Sequence, residues 1–433
     1  MKIKRRLSVV LILVSLLAIS LSINTFIQGS IRQSFYFEPL SSLHIPDGVR
    51  VVGFGEASHG NHEFKYIANE VFKRLVLENG FRAFATEVSF GVGMSVNEYI
   101  LYGIGTAEEV VSYMGDWIHN SQEVIDLVEW MREFNLTAEE GDEVRFYGFD
   151  FHRINISRQR YLAFMETVNP ERAIRDKVIL EIANIETIRL PITTDKEAML
   201  ESVHNINRII DEIRQNRDHY ILASSEIEFE FALRNLYEIK FELELTILEV
   251  SEPWRLADEY RGRIMFENLL WIIEHEENLG RGRIFAFAHH GHIMKSPRLG
   301  AQSFGGNLFE HFGEAYFAIG TQFRSTTTIA PSQREQRFVE HSVTNRWINL
   351  IRAFNDTDMD IGLIDINRHV EYGGAAGRTL NRRQLSAHVG VVHRYFGLLG
   401  PLRQHSFVFV PSDSFDVIIF VQYATPAHFI EGI

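Results

Sequence analysis

The chain has 433 residues, 45% hydrophobic and 23% charged, with a formal net charge of −14 and no cysteine. That length and apolar content suit one large globular domain or two smaller ones, and they exclude a disordered or fibrous chain. The acidic balance, with no basic stripe beyond the N-terminus, argues against a nucleic-acid partner; the absence of Cys excludes disulfides, thiolate metal sites and cysteine nucleophiles.

The first 30 residues read as a signal peptide or an N-terminal membrane anchor. Lys2, Lys4, Arg5 and Arg6 precede an apolar run from Leu7 to Ile23, the order that positive-inside orientation requires. Ala18, Ser20 and Ser22 offer an indifferent cleavage site, so cleaved and retained forms both stay open. Either form predicts a protein that is secreted, or attached to the membrane with its main body outside the cytoplasm.

From residue 34 the pattern becomes globular. The stretch "VRVVGFGE" predicts a buried strand running into the polar loop "ASHGNHEF", and "EFKYIANEVFKRLVLENG" spaces Phe64, Ile67, Val71 and Leu75 at helical intervals. "FRAFATEVSFG" returns to a strand ending near Glu87. This β-α-β unit makes its two strands parallel, with adjacency the simplest arrangement. "SQEVIDLVEWMREFNL" predicts an amphipathic helix and "VRFYGFDF" a strand ending in Asp150. Residues 34–156 thus form the first half of an α/β domain.

Residues 157–254 carry no strand pattern and predict a helical insertion with solvated charged faces. Residues 255–433 supply the second half: the helix "RGRIMFENLLWIIEHEE", the strand "RIFAFAHHGHIMK" delivering His289, His290 and His292, and later strands in "AYFAIGTQF", "DIGLIDIN" and "FDVIIFVQYATP". "EYGGAAGRTLNRR" is glycine-rich without the spacing of a phosphate loop and predicts a flexible loop. The expected fold class is α/β, with a mainly parallel sheet, flanking helices and a helical insertion.

Parallel strands open their carboxyl ends at one sheet edge, where such folds place ligands. Glu56 with His59, Glu87, and the pair His289 and His292 therefore meet there. Clustered titratable groups shift one another's pKa values, which is how general bases are made. Ser58 lacks the Gly two positions before it that a nucleophile elbow needs, because Glu56 stands there. A divalent metal held by His59, Glu87, His289 and His292 is the rival reading; "EASH" and "HHGH" carry ligand types three apart, although HExxH is absent.

These motifs resemble the erythromycin esterase family. "GEASHGNHEF" is similar to its Gly-Glu-x-x-His-Gly signature and "ATEVSFG" to its strand-end Glu; "EVIDLVEWMREFN", "YGFDF", "RGRIMFENLLWIIE", "FAFAHHGHI" and "FGGNLFEHFGEAYFAIGTQF" follow in order. The resemblance implies an α/β fold with an added helical portion, and active-site roles for Glu56, His59, Glu87, His289 and His292. It also implies hydrolysis of an ester, in family members a macrolide lactone, without a covalent intermediate or a cofactor. His59 would be the general base, and Glu87 would orient it or stabilise the imidazolium that forms. His289 would polarise the carbonyl or protonate the leaving alcohol, with His292 and Glu56 shaping the network. The partner implied is a small-molecule ester, with the membrane as a second partner if the N-terminal segment is kept. A metal-, haem- or ligand-binding protein on a related scaffold is the alternative. One departure stands out: the family commonly has Arg nine positions after the motif His, and here Ala68 fills that place. The export segment is the second.

Overall fold

The computed structural model describes residues 32, 34–115, 117–182, 196–332, 334–392 and 405–430. The leader or anchor expected over residues 1–30 lies outside them. Among the described residues no helix is long and apolar enough to cross a membrane.

The described residues form ten strands: β1 (Val51–Glu56), β2 (Ala83–Ser89), β3 (Arg145–Asp150), β4 (Ile284–His289), β5 (Tyr316–Ser332), β6 (Arg337–Thr344), β7 (Ile361–Asp365), β8 (Gln384–Ala387), β9 (Ser406–Phe409) and β10 (Val417–Ala424). Eight form the main sheet in the order β3-β2-β4-β1-β5-β10-β7, with β6 paired to β5; β8 and β9 form a separate pair. Strands β1 to β5 and β10 are mutually parallel, whereas β6 and β7 are antiparallel to their neighbours. Every residue of β1 and β4 is buried, the result of helices covering both faces of a parallel sheet.

Strands β1 and β2 are parallel, as the β-α-β pattern predicts, but they are not neighbours. β4 lies between them and pairs with both, placing His289 beside Glu56 in register. Local sequence sets the handedness of a crossover but leaves open whether it skips a strand; here the fully apolar β4 fills the gap. The connection leaving β1 crosses β4 to reach β2, while the one leaving β4 crosses β1 to reach β5. The two depart in opposite directions, which opens a crevice above the β4/β1 boundary.

Five helices, Asn155–Val168, Pro170–Ile182, Lys196–Gln215, Arg217–Ala223 and Glu226–Ser251, occupy most of the middle of the chain. Met199, Ile206, Ile209, Ile210 and Ile213 recur on one face of the third and are buried. Ser225 caps the last by accepting from Glu228 N–H. This region has its own apolar cluster, including Tyr161, Met165, Leu236 and Leu243, separate from the main core.

The glycine-rich "EYGGAAGRTLNRR" is not the predicted loop. It folds into the end of the helix Ile366–Tyr372 and the helix Gly374–Leu380. Gly373 and Gly374, both at φ +69°, make the sharp junction between them. The glycines break one helix into two instead of releasing the chain.

Candidate functional site

Glu56, the last residue of β1, is 2% exposed, and His59 in the following loop is 6% exposed. The loop is held rigidly. Thr321 Oγ1 on β5 donates to Gly55 O at 2.9 Å and accepts from Ala57 N–H at 2.7 Å, and Val389 N–H donates to Ala57 O. Gly55 is required because a Cβ there would lie 2.6 Å from His290 Cα. Close approach of these backbones draws the two histidine-bearing segments together.

His59 Nδ1 lies 2.7 Å from Glu56 Oε1, and Lys65 Nζ reaches Glu56 Oε2 at 3.3 Å while also donating to His59 O at 2.7 Å. Burial works to raise the Glu56 pKa, but the charge of Lys65 and the hydrogen bond and charge of His59 outweigh it and hold the carboxyl below its usual range. Glu56 is therefore a carboxylate. It fixes the His59 ring and leaves Nε2 as the nitrogen free for chemistry.

On β4, His289 sits with its ring centroid 4.8 Å from that of His59. It caps the one-turn helix His290–Ile293: Gly291 N–H donates to His289 Nδ1 at 3.2 Å. That contact assigns the ring proton to Nε2, which lies 3.0 Å from His388 Nδ1. His290 turns under β1, where Nδ1 faces Thr321 O and Nε2 is buried without a partner. All four rings, His289, His290, His292 and His388, have pKa values pulled down, chiefly by burial, and each is neutral near pH 7. His290 falls to about 3.

Glu87, on β2, accepts from His289 N–H at 2.7 Å and lies 3.4 Å from His292 Nε2 and 3.6 Å from Arg261 Nη2. Arg261 is chiefly paired with Asp150, at the end of β3, through two hydrogen bonds. Burial raises the Glu87 pKa, and Arg261 and His59 only partly offset it. The ends of β3, β2, β4 and β1 thus present Asp150, Glu87, His289 and Glu56 in a row.

The five residues expected from the sequence meet at this edge, with one change of partnership: Glu56, not Glu87, holds His59. Sequence reading missed Lys65, Arg261, His290 and His388 as members. Arg261 lies in the quoted helix motif and Lys65 one turn after the loop, so both were visible; His388 follows a four-residue strand with no pattern of its own. Ala68 is buried in the main core, and the cation at Glu56 comes from Lys65 instead. Ser58 Oγ is buried with no hydrogen-bond partner, so no base activates it.

Two groups of three possible ligand residues have their ligand atoms within 4.8 Å of one another among the described residues: His289 with His290 and His388, and His62 with Glu123 and His428. Neither is the set His59, Glu87, His289 and His292. In the first group His289 Nε2 and His388 Nδ1 lie 3.0 Å apart. A cavity of about 370 Å³ lined by Ser95, Glu98, Tyr113 and Arg160 shares no residue with the strand-edge cluster. There Arg160 is already forked onto Glu98.

A protein-family model described as erythromycin esterase matches residues 76–424. The match opens after the loop that bears Glu56 and His59. The chain is 25% identical over 320 residues to erythromycin esterase type II of Escherichia coli, covering 68% of this chain and 73% of that one. Solved structures share the fold: a Bacillus cereus structural-genomics protein at TM-score 0.77 and 19% identity, covering 93% of this chain and 99% of that one; a succinoglycan biosynthesis protein at 0.74 and 18%, covering 94% and 99%; and an erythromycin esterase mutant in its open conformation at 0.66 and 16%, covering 88% and 92%.

Proposed function

This chain belongs to the erythromycin esterase family, whose membership supports an esterase-like hydrolase, and from that premise we propose that it cleaves an ester bond with water activated by His59. The observation that carries the proposal is the buried Glu56–His59 pair, whose Nδ1 contact leaves Nε2 to accept a proton. Glu56 stabilises the imidazolium that forms, and Lys65 keeps Glu56 ionised at rest. The imidazolium of His59 returns the proton taken from water to the leaving alcohol, and the neutral His289–His388 pair, hydrogen-bonded through Nε2 and Nδ1, polarises the ester carbonyl. Glu87 fixes the backbone at His289 and, with His292 and Arg261, closes the far wall. Acid-base catalysis of this kind supplies roughly 10²–10⁴-fold.

Macrolides are proposed as poor substrates. Lys65 offers a point charge where an arginine would present a planar fork able to hold both a carboxylate and a substrate oxygen. The basic N-terminus and its apolar run support export or anchoring, so the substrate class is small esters or lactones met outside the cytoplasm. The test is His59→Asn on a panel of small chromogenic esters and macrolides, with ring opening followed by mass. A fall of about 10²-fold or more in kcat/KM on the best ester, at unchanged thermal unfolding, is expected. Full activity of the variant overturns the assignment of His59, and rapid macrolide opening by the wild type overturns the substrate class.

A further inference from the structure

A second cluster of imidazole and carboxylate lies apart from the strand-edge residues. His62 begins the helix His62–Asn79, Glu123 lies in the first turn of the helix Gln122–Thr137, and His428 belongs to the segment after β10. Both imidazoles reach the same oxygen: His62 Nδ1 and His428 Nδ1 are each 2.7 Å from Glu123 Oε1. The His428 backbone N–H also donates to that oxygen, at 3.1 Å, while Glu123 Oε2 is buried without a partner. Three donors on one oxygen exceed its two lone pairs, and the second oxygen has none. The carboxylate is 4% exposed, whereas the His62 and His428 side chains are 32% and 69% exposed, so the cluster opens to solvent on one side.

We propose that His62, Glu123 and His428 bind a divalent transition-metal ion of the zinc class, with solvent completing its coordination. Two imidazoles and one carboxylate form a ligand set that suits such an ion. Bonds of about 2.0–2.1 Å to a tetrahedral ion would set the ligand atoms about 3.3 Å apart. The exposed rings need only retreat by about half an ångström each to reach that spacing. Metal binding replaces two protons on Nδ1 with one ion and relieves the crowding at Oε1. Two helix N-termini meet here and oppose a cation, but Glu123 and Glu63, each in a first turn, offset them.

Backbone contacts pre-form the site. Asn61 bridges to Pro426 and Ser121 to Phe429, while Glu63 accepts from Thr425 N–H at 2.7 Å and from its hydroxyl at 2.8 Å. The three ligands come from distant parts of the chain, so the ion would staple the C-terminal segment across two helix ends. That role is independent of the proposed ester chemistry.

The test uses the full chain stripped with chelator and titrated with Zn²⁺ alone, followed by calorimetry and by the Co²⁺ visible spectrum. One ion per chain with imidazole ligation is expected, together with a Zn²⁺-dependent rise in the unfolding temperature. His62→Ala and His428→Ala should each weaken binding by at least about 10-fold, and the double variant should lose both binding and the thermal shift. Because both imidazoles also contact the buried Glu123, each variant is compared with wild type in chelator, and only the Zn²⁺-dependent part of the thermal shift is read. Unchanged Zn²⁺ affinity in the double variant, or no binding by the wild type at 100-fold molar excess of metal (about that ratio being ample for a three-ligand site), overturns the proposal.

Discussion

Two regions of this molecule bury charged groups, and they do so by opposite rules. In the helical region Asp176, fully buried, is saturated: Tyr161 OH donates at 2.5 Å, Arg172 Nε at 3.1 Å and Arg175 Nε at 3.0 Å, while Arg172 also donates to Ile209 O. Around Asp176 each of these charged groups has an opposite partner. At the sheet edge, by contrast, four neutral histidines crowd one another, His290 Nε2 has no partner, and Glu87 is only partly neutralised. A saturated network holds a fold in place, whereas an unsaturated one retains groups that can still exchange protons. Position in the sheet, together with this imbalance, supports the edge as the candidate functional site.

The sharpest way to break that contrast is to unsaturate the helical network. Asp176→Ala removes the acceptor shared by Tyr161, Arg172 and Arg175, leaving the two guanidinium groups to Glu212, and should cost about 1–3 kcal/mol of stability. The kcat/KM per folded molecule should stay within about threefold of wild type, a distinction no greater than a peripheral effect on the barrier. Urea unfolding alongside ester kinetics checks both halves; a loss of activity without a loss of stability would join the two regions into one functional unit.

Acid should act mainly on the other region. The unfolded histidines take up protons near pH 6.5, while the buried His289, His290, His292 and His388 stay neutral to lower pH, so the unfolded state binds more protons. Their contribution is complete above about pH 6.5 and is lost as pH falls, by about 1.4 kcal/mol per pH unit for each ring that remains neutral. Glu56, held low, and Glu123, held at about 2, add to the loss below about pH 4.5. Denaturation midpoints from pH 7 to 4 should fall steeply, and a flat profile would show that the rings are charged when folded.

The junction between the regions offers the smallest effect. Glu238, on the helix Glu226–Ser251, is buried and accepts from Ser157 Oγ and from the N–H groups of Phe90 and Gly91. Burial pushes its pKa up to about 8 despite those donors. The folded carboxyl keeps its proton to higher pH than the unfolded one, so stability declines as pH rises from about 4.5 through 8. Glu238→Gln, neutral throughout, should gain about 1–3 kcal/mol relative to wild type at pH 9 and little at pH 5. Unfolding temperatures at the two pH values decide it.

Much of the candidate site was legible in the sequence because strand ends can be read from apolar runs. Glu56, His59, Glu87, His289 and His292 each follow or close such a run. The partnerships were not legible. Glu87 was expected to hold His59, yet the insertion of β4 between β1 and β2 hands that task to Glu56 and turns Glu87 toward His289. His388 joined through tertiary contact, which leaves no local trace. The paired glycines at 373 and 374 read as a loop because composition cannot separate a break between two helices from a free segment.

The placement of β4 also governs how the molecule is born. Strands β1 and β2 leave the ribosome early with a strand-wide gap between them, and the hydrogen bond that ties Glu87 to His289 spans 202 positions. Until β4 arrives, both strands keep an open edge of unpaired amides and carbonyls facing that gap, the kind of edge that recruits foreign chains. Meanwhile the helical region, made next and closed around its own apolar cluster, can form from local contacts. Synthesis therefore proceeds with an incomplete sheet in waiting and a finished helical body beside it. β4, made after the helical region, seals that edge and sets His289 beside Glu56, so a chain cut short before β4 has neither a closed sheet nor the full cluster of strand-end residues.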